Sequence, residues 1–258
     1  LVILSTDHII TLEMVLWIIV AIVGARSAAM GFNRIVDAGI DSRNPRTSGR
    51  HIPQGTLSVK QAGSFTLLSA IVFVGAAAML SPLCFVLSFP VLAILLGYSY
   101  TKRFTSASHL VLGISIGLMP LGASVAVAGT ITEATAVLSL ALTTYIAGFD
   151  ILYACQDIDF DRKEGLRSIP SRLGVPAALA VSSILHVISF SSLAALYWML
   201  PMGLAYLACL LLIGALFIVE HLLVRPSDLT RINVAFFNVN SIISVMVFVA
   251  IALGVFLS

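Results

Sequence analysis

The sequence predicts an all-α, polytopic membrane helix bundle, and three observations predict it. Of the 258 residues, 59% are hydrophobic and 10% charged, against about 25% charged in soluble domains. Mean hydropathy is +1.08. The apolar residues fall into runs of spanning length, about 20 residues each, and the charges gather between them.

Eight such runs are visible, at about 11–36, 60–80, 83–100, 109–129, 134–156, 176–199, 202–222 and 233–257. Thr6 and Asp7 stand ahead of the first as candidate caps. Ser81-Pro82, Gly129-Thr130 and Pro201-Met202 are short turns that separate the second run from the third, the fourth from the fifth and the sixth from the seventh. The other connections, 42–58, 101–108, 157–175 and 223–232, are longer and polar.

Eight alternating spans bring all fourteen Lys and Arg residues onto or near one side. Arg34, Arg43, Arg46, Arg50 and Lys60 flank the first long loop. Lys102 and Arg103 lie in the next, Arg162, Lys163, Arg167 and Arg172 in the third, and Arg225 and Arg231 in the last. Arg26 is the deepest. The short turns opposite hold none. This is the positive-inside pattern, so the long loops are expected in the cytoplasm, with Tyr197 and Trp198 at the far interface.

Cys84, Cys155 and Cys209 fit neither a metal motif nor a disulfide frame and read as small core residues. His51, His109, His186 and His221 lack partners at ligand spacing and read as interfacial or core. A net charge of +2 gives no argument for a nucleic-acid partner. No cleavable signal peptide is visible. The chain starts at Leu1, so an N-terminal piece is expected to precede it.

Two acidic clusters end apolar runs on the basic side. Asn33, Asp37 and Asp41 are spaced by four, which places them along one edge of a helix end. Asp157, Asp159 and Asp161 end the fifth run, with Asp159 about 200° round the helix from its neighbours and facing away from them. Carboxylates gathered at a helix C-terminus repel one another and oppose the helix dipole, and a divalent cation relieves both. Oxygen donors without His or Cys point to Mg²⁺ or a similar hard ion, which bridges carboxylates to substrate phosphates. Arg26, Arg46, Arg50, Lys102, Arg103, Lys163 and Arg167 lie on the same side as phosphate partners. The combination suggests a diphosphate on a long hydrocarbon, its head at the interface and its tail among the helices or in lipid. A transporter, the competing class, should carry polar groups at mid-membrane. Here only Asp150 and Arg26 sit deeper.

At these residues the chain is similar to the UbiA superfamily of intramembrane aromatic prenyltransferases. Asn33-Arg34-Ile-Val-Asp37-Ala-Gly-Ile-Asp41 resembles the family's N-D-x-x-D-x-x-x-D motif. Arg46-Thr-Ser-Gly-Arg50-His-Ile-Pro53-Gln-Gly55 resembles R-T-x-x-R-P-x-P-x-G, and Tyr98-Ser-Tyr-Thr-Lys102-Arg103 resembles Y-x-x-x-K-R. Asp157 to Asp161 matches D-x-x-x-D, with Asp150 and Tyr153 before it and Lys163, Arg167 and Ser168 after it in family register.

Two features depart from the pattern. Arg34 stands where the family has an acid. That N-R-x-x-D form resembles a 4-hydroxybenzoate polyprenyltransferase-like branch, some of whose members resemble enzymes that prenylate 1,4-dihydroxy-6-naphthoate in the futalosine route to menaquinone. The family also has nine spans where eight are visible. Residues 1–258 are therefore expected to be a single prenyltransferase domain without the first family helix.

The resemblance implies Mg²⁺-dependent transfer of a polyprenyl group from polyprenyl diphosphate to a small aromatic acceptor, 4-hydroxybenzoate first, in ubiquinone or menaquinone biosynthesis. It implies an integral protein of the bacterial inner membrane with its site facing the cytoplasm. Asn33, Asp37, Asp41, Asp157 and Asp161 would hold the metal, and Arg26, Arg50, Lys102, Arg103 and Lys163 the diphosphate. Asp150, about two helical turns before Asp157, would orient the acceptor or take a proton, or else be a buried acid bonded to a hydroxyl such as that of Tyr145 or Tyr153. Tyr153 would shield the allylic cation or bond the diphosphate.

Overall fold

A computed structural model describes residues 10–256. Its spanning helices are α1 (Leu12–Asp41), α2 (Val59–Leu80), α3 (Pro82–Thr101), α4 (Ser108–Ala128), α5 (Glu133–Ala154), α8 (Val175–Met199), α9 (Leu204–Leu223) and α10 (Asn240–Phe256). Two short helices, α6 (Ile158–Lys163) and α7 (Ile169–Leu173), lie in the loop between α5 and α8. The described residues contain no strand, only one isolated bridge between Arg225 and Asp228. The chain is an integral membrane protein, and its described residues hold the eight apolar spans that hydropathy predicts.

Local chemistry sets the ends. Thr11 caps α1, accepting from the Met14 N–H at 3.2 Å; Thr6 and Asp7 lie outside the described residues. Ser58 and Gln61 form a reciprocal capping box at α2. Ser81 accepts from the Cys84 N–H, and Pro82 opens α3 where a missing N–H costs nothing. Gly129, at φ 68°, ends α4 in the left-handed conformation that glycine tolerates best.

Three boundaries differ from the sequence expectation. Helix α1 runs to Asp41 instead of stopping near 36, because polar partners from other loops reach the acids of its last turns. After α5, a tight turn at Cys155–Asp157 leads into α6, so Asp157 and Asp161 sit on separate segments. A wide π turn at Val234–Val239 precedes α10.

Helix α1 packs on α2, α4 on α5, α5 on α8, and α9 on α10. Small residues permit close approach, as is usual in membrane bundles. A Cβ on Gly24 of α1 would stand 2.9 Å from the Phe73 nitrogen of α2. A Cβ on Gly113 of α4 would collide with the Thr143 carbonyl of α5. The largest apolar core joins α5, α8, α9 and α10 around Tyr145, Leu196, Tyr206, Ile213 and Ile243. Outward-facing Phe65, Leu67, Ile71, Ile184, Val187 and Phe248 are exposed, the pattern of a surface solvated by lipid. All three cysteines are buried and free. His186 is buried, as expected of a core residue, and although sequence spacing offered it no partner it meets the half-buried His221 between α8 and α9.

Candidate active site

The two acidic helix ends converge on one polar cavity of about 270 Å³. Among its lining residues are Asn33, Asp37, Asp41, Arg50, Lys102, Asp150, Tyr153, Asp157 and Asp161. A second, apolar cavity of about 550 Å³ is lined by α1–α5 and α10. Tyr98 and Leu112 line both, so the polar head space continues into the apolar one.

The first acidic row is built on the last turns of α1. Asn33 Nδ2 donates to Asp37 Oδ2, one turn on, at 3.1 Å, and reaches Ser99 Oγ at 3.4 Å. Asp37 is 2% exposed. Lys102, at the end of α3, donates to Asp37 Oδ2 at 2.6 Å. Arg50 Nη1 reaches both Asp41 oxygens, at 2.7 and 2.6 Å.

The second row takes its partners from the same first loop. Arg46 holds Asp157 through Nε at 3.0 Å and through Nη2, and Asn44 Nδ2 adds a third donor at 3.2 Å. The Arg46 guanidinium also donates to the Tyr153 hydroxyl at 3.2 Å and lies 5.1 Å from that ring's centre. Burial works to lower the Arg46 pKa, and its bonds to Asp157 outweigh that and raise it. Asp161 Oδ2 accepts from Ser168 Oγ at 2.7 Å. Asp159 is exposed, as its angle predicts.

At the rim, Arg43 and Glu164 join the first loop to the third at 2.7 Å. The hydrogen bond from Arg43 holds the Glu164 carboxyl below its ordinary range. Arg167 donates its N–H to the Lys102 carbonyl at 2.7 Å and its side chain to the Phe104 carbonyl at 2.6 Å, fastening the second loop to the third.

Four of the sequence-selected basic residues, Arg167 among them, lie outside the polar lining. Arg26 lines the apolar cavity. Arg103 is outside the polar lining, where it donates to the Val36 carbonyl at 2.7 Å and lies over Tyr100, yet its guanidinium still reaches to 3.9 Å from Asp37 Oδ1. Lys163 is exposed and lines neither cavity. Arg34 likewise lies off the polar lining.

Sequence reasoning missed Asn44 and Ser99, which bond the acidic rows, and above all a histidine. His109, at the start of α4, sits 4% exposed with Nδ1 at 2.7 Å from Asp150 Oδ2. The Ile169 N–H donates to His109 Nε2 at 3.4 Å, so the ring proton falls on Nδ1 and points at Asp150. Asp150 is therefore bonded to an imidazole and not to a tyrosine. The Tyr145 hydroxyl bonds the Asn240 carbonyl and Ser244 instead, and the Tyr153 hydroxyl accepts from Arg46. Forty-one residues separate His109 from Asp150, so no local spacing carried the signal.

The donor set suits a hard divalent cation. Among the described lining residues, five carboxylates face three Lys or Arg side chains, and Arg103 adds a fourth cation 3.9 Å from Asp37, so acids outnumber the bases around the cavity. Asp37 Oδ1 is buried without a hydrogen-bond partner, an orphan that a cation would satisfy.

Residues 2–242 match the UbiA prenyltransferase family. The chain is 28% identical to 4-hydroxybenzoate octaprenyltransferase of Citrobacter koseri over 244 residues, covering 93% of this chain and 83% of that protein. It is 30% identical to the same-named protein of Tolumonas auensis, covering 89% and 79%. The apo structure of a UbiA homolog from Aeropyrum pernix K1 superposes with a TM-score of 0.86 at 30% identity, covering 97% of this chain and 94% of that one. A UbiA homolog from Archaeoglobus fulgidus bound to GPP and Mg²⁺ shares the fold, with a TM-score of 0.68 at 17% identity over 96% and 89%. A bundle that joins two aspartate-bearing helix ends over a lipid-side cavity thus has both sequence and structural kin, and the chain belongs to the UbiA prenyltransferase family.

Proposed function

We propose that this prenyltransferase moves a polyprenyl group from its diphosphate to 4-hydroxybenzoate, at the cytoplasmic face of a bacterial inner membrane, in respiratory quinone synthesis. The observation that carries this reading is the continuity of the two cavities. A polar chamber with paired acidic rows opens, past Tyr98 and Leu112, into an apolar chamber. An amphiphilic diphosphate has that division.

Asn33, Asp37 and Asp41 on one side and Asp157 and Asp161 on the other would hold Mg²⁺. When bound, the metal supplies positive charge against the departing diphosphate. Lys102, Arg50 and Arg46, which line the same cavity, present further positive charge to the diphosphate oxygens. Arg103 and Lys163, at the rim, meet the diphosphate as it enters, and Arg26 marks the boundary between head and tail. The allylic C1–O bond breaks and the diphosphate leaves with the electron pair. The apolar walls keep water from the cation, while the Tyr153 ring lies at the cavity wall to shield it. The acceptor ring forms the C–C1 bond and releases its proton to Asp150, oriented by His109.

The homologous 4-hydroxybenzoate octaprenyltransferases favour that acceptor. Arg34, in place of the family's acid, favours 1,4-dihydroxy-6-naphthoate. Membranes containing the protein, given labelled prenyl diphosphate and Mg²⁺ with either acceptor and an EDTA control, separate the two. EDTA-sensitive product with 4-hydroxybenzoate alone is the expected result. Product with the naphthoate alone moves the protein to menaquinone synthesis, and product with neither overturns both assignments.

A further inference from the structure

Away from both cavities, α8 and α9 bury a polar cluster that the transfer reaction does not use. His186 is 2% exposed and Glu220 0%. His186 Nδ1 lies 3.0 Å from His221 Nε2 and 3.4 Å from Glu220 Oε2. One ligand atom from each of the three residues lies within 4.8 Å of the others.

Hydrogen bonding within the protein leaves this cluster unsatisfied. Ser183 Oγ donates to the Leu179 carbonyl at 2.9 Å, so it offers its lone pair to His221 Nδ1, at 3.3 Å. His221 therefore carries its proton on Nδ1 and turns a bare Nε2 toward His186. Both Glu220 oxygens and His186 Nε2 are buried without a hydrogen-bond partner. Asn240 approaches the Glu220 carboxyl as a hydrogen-bond partner, and it does so in poor geometry, so its amide atoms count as unpartnered. A buried carboxyl group with neither oxygen in a well-formed hydrogen bond, beside two imidazoles within a membrane bundle, is a polar cluster that a bound ion would satisfy.

We propose that His186 Nδ1, His221 Nε2 and the Glu220 carboxylate form a site for one divalent transition-metal ion of zinc's class. Two imidazoles and one carboxylate are borderline ligands that suit zinc better than magnesium. Tetrahedral zinc, with ligand atoms at about 2.0–2.1 Å, sets them ~3.3 Å apart, close to the two separations here. Binding moves the His186 proton to Nε2 and gives Glu220 its missing partner. Ser183 already supplies the outer contact that metal-bound imidazoles use to fix their orientation. A fourth position remains for a water or the Asn240 amide oxygen.

His221 is half-buried, two residues from the end of α9, so the 224–233 loop offers an entry. None of the three ligands lines a cavity, but Asn240 lines the apolar one. The ion would thus pin α8 to α9, behind the α10 side of the tail chamber, without taking part in the chemistry.

The full chain, purified in detergent, loaded with Zn²⁺ and desalted, provides the test. Wild type should retain one more zinc per chain than Glu220→Gln or His221→Ala. Zinc-edge X-ray absorption of wild type should show imidazole scattering from two histidines, a reading that requires no variant to fold. Zinc held by the aspartate rows would give an oxygen-only shell. Equal zinc in all three proteins, or an oxygen-only shell in wild type, overturns the proposal.

Discussion

His109 Nδ1 stands 2.7 Å from Asp150 Oδ2 across the α4–α5 interface, and the Ile169 N–H occupies the ring's other nitrogen. Ile169 follows Ser168, which bonds Asp161. One short segment therefore orients both the candidate proton acceptor and a candidate metal ligand.

His109→Ala should lower kcat by on the order of 10²-fold, within the range for a group assisting proton transfer. KM for prenyl diphosphate should stay within about twofold, because His109 touches no diphosphate partner. His109→Asn should recover part of the loss, since its amide can still donate to Asp150. A loss confined to prenyl diphosphate KM would contradict the positioning role. Steady-state kinetics with each substrate varied in turn checks all three.

Asp37→Ala and Asp157→Ala should each abolish turnover while protein level and membrane insertion persist. Each removes a cavity-facing carboxylate and releases a cation, Lys102 or Arg46, into the site. Turnover at varied Mg²⁺ measures this; normal turnover in either inserted variant would sink the metal assignment.

Lys102→Ala should weaken prenyl diphosphate more than acceptor. A hydrogen bond to a charged group contributes about 1.5–3 kcal/mol, equivalent to about 10- to 150-fold in Kd. Binding of labelled prenyl diphosphate, set against acceptor KM, separates the effects. A change in acceptor KM alone would contradict the role.

What was legible in the sequence follows from range. Eight spans could be read because each is a continuous apolar run, and the acidic row of α1 because a spacing of four is local to one helix. The pairings were not legible. Arg46 meets Asp157 across 111 residues, and His186 meets His221 across 35, through helix packing that no local spacing encodes. The deep position of Arg26 was evident, but its place on the apolar wall needed the neighbouring helices.

Gly122→Phe should shorten the range of usable donors. Gly122 lines the apolar cavity, and a Cβ there meets nothing within 4 Å, so a larger side chain can enter the chamber without displacing a neighbour. Turnover with long prenyl diphosphates should fall more than turnover with a short one. An equal fall for both would mean that the tail does not lie there.

Gly113→Ala tests whether packing holds the site. Gly113 lies one turn after His109 on α4, and its added Cβ would collide with the Thr143 carbonyl on α5, seven residues before Asp150. A backbone carbonyl cannot rotate aside, so the helices must separate. Overpacking of this kind costs about 1–3 kcal/mol. The variant should melt lower and lose kcat together, with prenyl diphosphate affinity less affected, because separation lengthens the His109–Asp150 contact first. Gly75→Ala, where a Cβ meets nothing within 4 Å, is the control and should be neutral or slightly stabilising. A Gly113→Ala protein with unchanged melting temperature and kcat would show that the α4–α5 contact does not set the geometry of the pair.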